Sequence, residues 1–305
     1  MLRHLLQMKP DVIAAKTVDH IKEKISYLRR DGVVIGLSGG VDSSLVCALS
    51  VRAAGNANVL GLIMPEKYSS SKSKEYAELL ARELKIKTEI IEITPYLASF
   101  GVYDLLSEKE FNLIKAAFAY NPVESKNMYL NLQIGGSKYE IHRKFLAHIN
   151  IKVRTRAVIC YYKGELKNYL VCGTLNRTDG LLGRTVKHGQ FSDIDPIKNL
   201  YKTQIYILSE YLGIPRVILD VQPFPDLFPG FSAFTPFMDS SVLSYEKIDC
   251  ILMALEKGVA YNSIVEETGA KEKDIEYIER IIELGKHKIG SPEGPFFEDD
   301  GESYE

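Results

Sequence analysis

The stretch Ile35-Gly36-Leu37-Ser38-Gly39-Gly40-Val41-Asp42-Ser43-Ser44 decides how this chain is read. Val33 to Leu37 is a short apolar run of the kind that forms a strand buried in a parallel sheet, and Asp42 to Val51 has the apolar spacing of a helix. Ser-Gly-Gly makes a sharp turn between them and aims backbone N–H groups at a helix N-terminus, where a phosphate or pyrophosphate can bind. The pattern is not a Walker A loop: there is no lysine, and an aspartate takes the helix start. An acid beside bound phosphates needs a cation between them, so Asp42 is a candidate Mg²⁺ ligand rather than a phosphate contact. A turn that merely joins strand to helix needs neither both glycines nor three hydroxyls.

Outward from this loop, the pattern repeats. Val12 to Leu28 reads as an amphipathic helix that packs on a sheet, ended by Asp31-Gly32. Val59 to Met64 is a second strand, and Ser69-Ser70-Ser71 caps a helix over Tyr76 to Leu84. Thr88 to Ile93 is a third strand and Tyr169 to Cys172, ending at Gly173-Thr174, a fourth. Strands separated by helices predict an α/β fold, a doubly wound parallel sheet with helices on both faces, and ligands in such sheets bind at the carboxyl ends of the strands. Between the third and fourth strands, Leu105 to Ala119 can be helical, Met128 to Ile134 alternates and suggests a hairpin or flap before Gly135-Gly136, and Ile141 to Tyr162 is helical.

After the fourth strand, Asn176 to Gly189 is a polar, Gly-rich loop or short helix, and Asp193-Ile194-Asp195-Pro196 is extended. Helices are expected over Lys202 to Leu212, from a Ser244 cap to about Glu256, and over Lys271 to Lys286. Gln222 to Phe237, rich in proline and phenylalanine, fits an ordered loop over an apolar surface, or a lid. The simplest organisation is a single domain over 1–292 with an insert at about 101–139, followed by an acidic tail at 293–305.

The 305 residues suffice for a large α/β domain, and 46% apolar with 26% charged residues is ordinary for a globular protein. A net charge of −2 gives no basic excess for a nucleic-acid backbone, so no nucleic-acid partner is expected. Cys47, Cys160, Cys172 and Cys250 are far apart in apolar contexts and read as reduced core residues. Met1 to Lys16 lacks a secretory or transit pattern, and no apolar run has the length of a membrane span, so a cytoplasmic protein without a membrane partner is expected.

Charged residues recur where strands end. Arg154 and Arg156 stand two apart on a helix and point to different faces, so at most one is expected to reach a given ligand. Thr174, Asp179, Lys187 and Asp193 occupy polar segments after the fourth strand. Lys202 opens a helix, where an ammonium opposes the macrodipole and a phosphate partner would offset it.

Together these segments resemble a known family. Ser38 to Ser44 matches the pyrophosphatase loop of the N-type ATP pyrophosphatases, a group that includes NAD, GMP and asparagine synthetases, with an adenine nucleotide α-hydrolase-like fold. Asn150-Ile-Lys-Val-Arg-Thr-Arg156, Gly173-Thr174, Lys187-His-Gly, Asp193-Ile-Asp-Pro, Leu200-Tyr-Lys-Thr-Gln204, Pro223-x-x-Asp-Leu227, Ser244-Tyr-Glu-Lys-Ile-Asp249 and His287-Lys288 occur in the order seen in ammonia-dependent NAD synthetases. The resemblance runs from about residue 12 to 292.

Carried over position by position, it implies that Gly36, Leu37, Ser38, Gly39, Gly40, Val41, Asp42, Ser43, Thr174 and Lys202 bind ATP. Asp42 and Asp179 would hold Mg²⁺, and Asp42 and Lys202 would be the catalytic pair. Arg154, Lys187, Asp193, His287 and Lys288 would contact deamido-NAD. The implied reaction is ATP-dependent amidation of deamido-NAD through an acyl-adenylate, in a homodimer, with ammonia that is free or supplied by a separate glutaminase.

Four departures stand out: Leu175 where the family usually has Asp, Asp179 for a longer Glu, Gln190 for Asp, and Phe224 for an ATP-contacting Thr. They leave two alternatives open, a related adenylating ligase for another small carboxylate and an inactive nucleotide-binding subunit.

Overall fold

Val33 and Ile35 of β1 (Gly32–Gly36) are buried on one side of the sheet and Val34 on the other. The structure, a computed structural model, describes residues 6–221, 226–229, 237, 242 and 244–290. The same period of two sorts the neighbouring strands: Val59 and Ile63 of β2 (Val59–Ile63) share the side of Val33, while Leu60 and Leu62 share that of Val34. β3 (Lys87–Ile90) is an exposed edge strand that carries Lys87, and in β4 (Tyr169–Cys172) Leu170 and Cys172 face one layer and Val171 the other.

All pairings are parallel, in the order β3-β2-β1-β4, with Val33 opposite both Val59 and Leu170. The chain thus moves outward from β1 through β2 to β3 and returns on the far side of β1. The loops after β1 and β4 diverge at this switch point and open a crevice between them.

One face is covered by α1 (Pro10–Tyr27), α2 (Val41–Ala54) and α3 (Ser71–Leu84), which bury Ile21, Leu45, Leu49 and Leu80 against the strands. α4 (Thr94–Ser99) and the second half of α7 (Glu140–Lys167) cover the other with Leu97 and Cys160. Helices on both faces meet the expectation of a doubly wound α/β sheet.

A third core lies away from the sheet. There α5 (Glu108–Tyr120), α6 (Pro122–Ile134) and the first half of α7 bury Ile114, Phe118, Met128 and Phe145. Further along the chain, α8 (Arg177–Leu181) follows β4, and α9 (Lys202–Tyr211) and α10 (Arg216–Leu219) return to the first face. α11 (Tyr245–Glu256), α12 (Tyr261–Thr268) and α13 (Glu272–Gly285) complete the third core with Ile251, Ile264 and Ile278. The helices between β3 and β4 and the C-terminal helices therefore share one apolar interior.

Two local expectations are corrected. Met128 to Ile134 is the end of helix α6, not a hairpin. Its alternation conceals the helical set Met128, Tyr129 and Leu132, spaced i, i+1, i+4, which is buried in the third core. The serine run is not a side-chain cap before Tyr76: α3 begins at Ser71, Ser70 makes no capping bond, and its N–H donates to both Asp226 carboxylate oxygens at 3.0 and 3.2 Å. In the Pro/Phe-rich segment, Phe228 is buried against Phe111 and Phe145 with ring centroids 4.6 and 5.1 Å away. Phe224 and the acidic tail lie outside the described residues.

The α4–α7 layer also buries His148. Its Nδ1 pairs with the Val102 carbonyl at 3.1 Å, and its Nε2 has no hydrogen-bond partner among the described residues. Burial, reinforced by the Lys152 ammonium, pulls the imidazole down to about 4. Between pH 6.5 and 4 the unfolded chain therefore takes up a proton that the folded chain refuses, and stability falls as the pH falls through that window. Between pH 7 and 4 the wild type should lose up to roughly 3 kcal/mol more unfolding free energy than His148→Gln. Denaturant titrations at the two pH values measure this, and equal losses would contradict it.

Candidate active site

The loop after β1 is shaped by its own hydroxyls. The Ser43 hydroxyl lies 3.0 Å from that of Ser38 and donates to the Gly40 carbonyl at 3.1 Å, and the Ser44 hydroxyl donates to the same carbonyl at 2.9 Å. Gly40 caps α2 without a side chain, so the first-turn N–H groups of that helix remain directed at the crevice. Gly39 has φ of +78°, and a Cβ there would sit 2.2 Å from the Ser73 carbonyl of α3. Only glycine meets both demands.

Asp42, at the second position of α2, is where the elements around the switch point converge. Lys202, the first residue of α9 and nearly fully buried, extends its ammonium to Asp42 Oδ2. Asn176 follows β4 and caps α8 by accepting the Asp179 N–H at 2.8 Å. Its amide donates to Asp42 Oδ1 at 3.0 Å and to Asp179 Oδ2 at 2.5 Å. One side chain thus bridges two carboxylates. Arg184 stands beside them, its Nη1 3.5 Å from Asp179 Oδ1 and 3.2 Å from the Tyr245 hydroxyl, at the start of α11.

Burial, with Asp179 nearby, pushes the Asp42 carboxyl up, and Lys202 opposes that rise. For Lys202, burial favours the neutral amine, but Asp42, Asp179 and Tyr245 outweigh it and raise its pKa above the usual lysine value. The cluster is an ion pair in a low-dielectric pocket with a second carboxylate held close. Among the described residues no group of three or more His, Cys, Asp or Glu side chains could hold a metal. Two bridged carboxylates suit a Mg²⁺ that takes its remaining ligands from phosphate oxygens and water, the usual mode for this ion.

The cluster opens into a cavity of about 1470 Å³. Across it, α7 supplies Arg154, whose Nε and Nη2 donate to the Lys187 carbonyl at 3.3 and 3.0 Å. Arg156 donates to the Met64 carbonyl at 3.1 Å. Both arginines line the cavity, which runs along α7. The end of α6 forms another wall. His287 Nε2 pairs with the Gln133 carbonyl at 2.8 Å, and the Lys288 ammonium donates to Gln133 Oε1 and the Gly183 carbonyl, both at 3.0 Å. Burial pulls Lys288 down to about 8.

Of the residues expected from sequence, Gly36 to Asp42, Thr174, Asp179, Lys202, Arg154, Lys187, His287 and Lys288 all line this cavity. Ser43 does not: it is buried and its hydroxyl is used within the loop. Asp193 also stands apart, extending the sheet beside β4 with its carboxylate accepting the Val171 N–H at 2.9 Å. Leu175 is buried away from the lining, and Gln190 lines the cavity.

Sequence reasoning missed Asn176, Arg184, Tyr245 and Gln133. Asn176 carries a readable signal, since Asn three residues before Asp179 is a helix N-cap pattern. Arg184 in a Gly-rich loop and Gln133 in a segment read as a hairpin carry none.

Gly39→Ala should cost ~1–2 kcal/mol from its left-handed backbone alone, and the approach of Ser73 adds to this. Thermal unfolding with and without ATP should show a lower midpoint and no ATP-induced rise, whereas a variant that ATP still stabilises as it does the wild type would contradict the loop's assignment.

The NAD synthase family model matches residues 13–121 and 116–292. Over 284 residues the chain is 34% identical to the NH(3)-dependent NAD(+) synthetase of Methanocaldococcus jannaschii, covering 93% of this chain and 96% of that one. It is 36% identical over 274 residues to the enzyme of the same name from Thermotoga maritima, covering 88% and 94%. Among solved structures, the NH3-dependent NAD synthetase of Campylobacter jejuni superposes with a TM-score of 0.68 at 27% identity, over 95% of this chain and all of that one. The NMN synthetase of Francisella tularensis, at 23% identity with a TM-score of 0.71 over 95% of this chain and all of that one, shares the fold. Matches of this identity and extent show that the chain belongs to the NAD synthase family.

Proposed function

We propose that this protein is a ligase that converts deamido-NAD to NAD with ATP and ammonia. The observation that carries the reading is the meeting of Asp42, Asp179 and Lys202 beneath the Ser38–Gly40 loop, at one end of a cavity whose other walls carry Arg154, Lys187 and Lys288. The cavity exceeds the roughly 300–1,000 Å³ of a typical single-ligand site, so it has room for ATP beside a dinucleotide. The names of the M. jannaschii and T. maritima relatives support the same assignment.

In the first step a carboxylate oxygen of the substrate attacks the α-phosphorus of ATP, the bond to the β-phosphate oxygen breaks, and pyrophosphate leaves. The loop N–H groups and Lys202 stabilise the charge that collects on the leaving group. Asp42 and Asp179 would hold Mg²⁺, which when bound supplies further neutralisation of that charge. In the second step ammonia attacks the acyl carbon, the bond to AMP breaks, and a proton is released. The cations across the cavity position the anionic dinucleotide and its nicotinate carboxylate. Neither step requires a nucleophilic side chain.

Cys47, Cys160, Cys172 and Cys250 are all buried, the environment of reduced core thiols, and we assign the protein to the cytoplasm. No helix among the described residues is long and apolar enough to cross a membrane. The nitrogen donor is ammonia, free or delivered by a separate glutaminase.

The reading predicts that pyrophosphate release from ATP requires deamido-NAD, that sustained formation of AMP and pyrophosphate requires ammonium as well, and that Asp42→Ala loses about 10²–10³ in kcat. Turnover independent of deamido-NAD, or a kcat/KM equally high with the nicotinate mononucleotide, would overturn the substrate assignment. No turnover under any condition would favour an inactive subunit.

The homodimer is also our inference. Val158, Tyr162 and Leu166 form an exposed apolar stripe on α7, beside exposed Tyr96 and Phe100 at α4. Arg154 lies one turn earlier on the same helix and lines the cavity, so a second copy covering the stripe would adjoin the site. Sedimentation velocity should give a dimer for the wild type and a monomer for Tyr162→Glu, whereas a wild-type monomer would overturn this arrangement.

A further inference from the structure

Asp249 of α11 is completely buried and does not line the cavity. Its Oδ1 accepts from the Thr178 hydroxyl at 2.5 Å. Its Oδ2 accepts from the Thr203 N–H at 2.7 Å and from the Thr203 hydroxyl at 2.6 Å. Thr178 Oγ1 in turn accepts the Lys202 N–H at 2.8 Å. The first two N–H groups of α9 are therefore satisfied by side chains from α8 and α11. Tyr201, which precedes the helix, sends its hydroxyl to Glu256 instead.

A buried carboxylate is costly without compensation, and here three hydrogen bonds and the positive end of α9 supply it. The two threonines it holds adjoin the charge cluster in sequence: Thr178 precedes Asp179, and Thr203 follows Lys202. The Arg177 N–H donates to the Leu200 carbonyl at 2.8 Å, and the Thr178 hydroxyl, between Asp249 and the Lys202 N–H, makes a second link between the starts of α8 and α9.

We infer that Asp249 is a positioning residue for the reaction, clamping the start of α9 against α8 so that the Lys202 ammonium is held at Asp42 and on the leaving pyrophosphate. Asp249 touches no substrate and acts through the backbone of Lys202. The assignment rests on the adenylating reading above, and wild-type AMP formation tests that reading separately.

The test is a double-mutant cycle on AMP formation, with Asp249→Asn and Thr178→Val each made alone and combined with Lys202→Met. Amide exchange is followed by mass spectrometry in the peptide spanning Lys202 and Thr203. Misplacing a catalytic group by about 1 Å costs on the order of 10²-fold, so Asp249→Asn should lose about that much kcat with KM for deamido-NAD unchanged. Its Lys202 and Thr203 amides should exchange faster, and Asp249→Asn should add almost nothing to the loss caused by Lys202→Met. A kcat within about twofold of wild type for Asp249→Asn, or losses that multiply with those of Lys202→Met, would overturn the inference. If Asp249→Asn does not fold, Thr178→Val decides by the same criteria, with an expected kcat loss of about 10-fold. A wild type that forms no AMP with deamido-NAD would instead remove the reading on which the inference rests.

Discussion

Two carboxylates and an ammonium held together at the wall of a cavity constrain the rest of this structure. Asp42 and Asp179 come from opposite sides of the switch point, one after β1 and one after β4, and repel unless something lies between them. The Asn176 amide and the Lys202 ammonium fill that place. A small error in either would leave charge buried and unpaired, so the surroundings hold both groups firmly. Asn176 is fixed by capping α8, and Lys202 by opening a helix whose first N–H groups are taken by Thr178 and Asp249.

This arrangement gives the helical layer away from the sheet a reason to exist. α11 brings Asp249 and Tyr245 to the cluster, and α6 brings Gln133 to receive His287 and Lys288 from the end of the chain. α6, between the third and fourth strands, is part of the cavity wall, and it shares its apolar core with the C-terminal helices. The sheet carries the Ser38–Gly40 loop at one end of the cavity, and the helical layer supplies the far side.

How much of this the sequence revealed follows from the range of each interaction. The loop and its flanking strand and helix are local, and Val33 to Val51 could be read without knowing the fold. β1, β2 and β4 were legible for the same reason, as apolar runs bounded by glycine and polar turns. Met128 to Ile134 was misread because seven residues of alternating polarity satisfy a strand and a helix alike, and only the third core decides between them. The serine run before α3 was misread because its partner, Asp226, lies far along the chain. Asn176 had a local signature as a cap, but its bridge between Asp42 and Asp179 exists only once β1 and β4 are adjacent. Asp193 had the charge of a ligand and is used instead to extend the sheet.

In the proposed reaction the cluster of Asp42, Asp179 and Lys202 holds a leaving pyrophosphate, so that the substrate carboxylate attacks the α-phosphorus of ATP. Deamido-NAD labelled with ¹⁸O in its nicotinate carboxylate tests this most directly. After turnover with ATP and ammonium, mass spectrometry should find one ¹⁸O in AMP and none in pyrophosphate. Label in inorganic phosphate together with ADP would mean attack at the γ-phosphorus and would contradict the account.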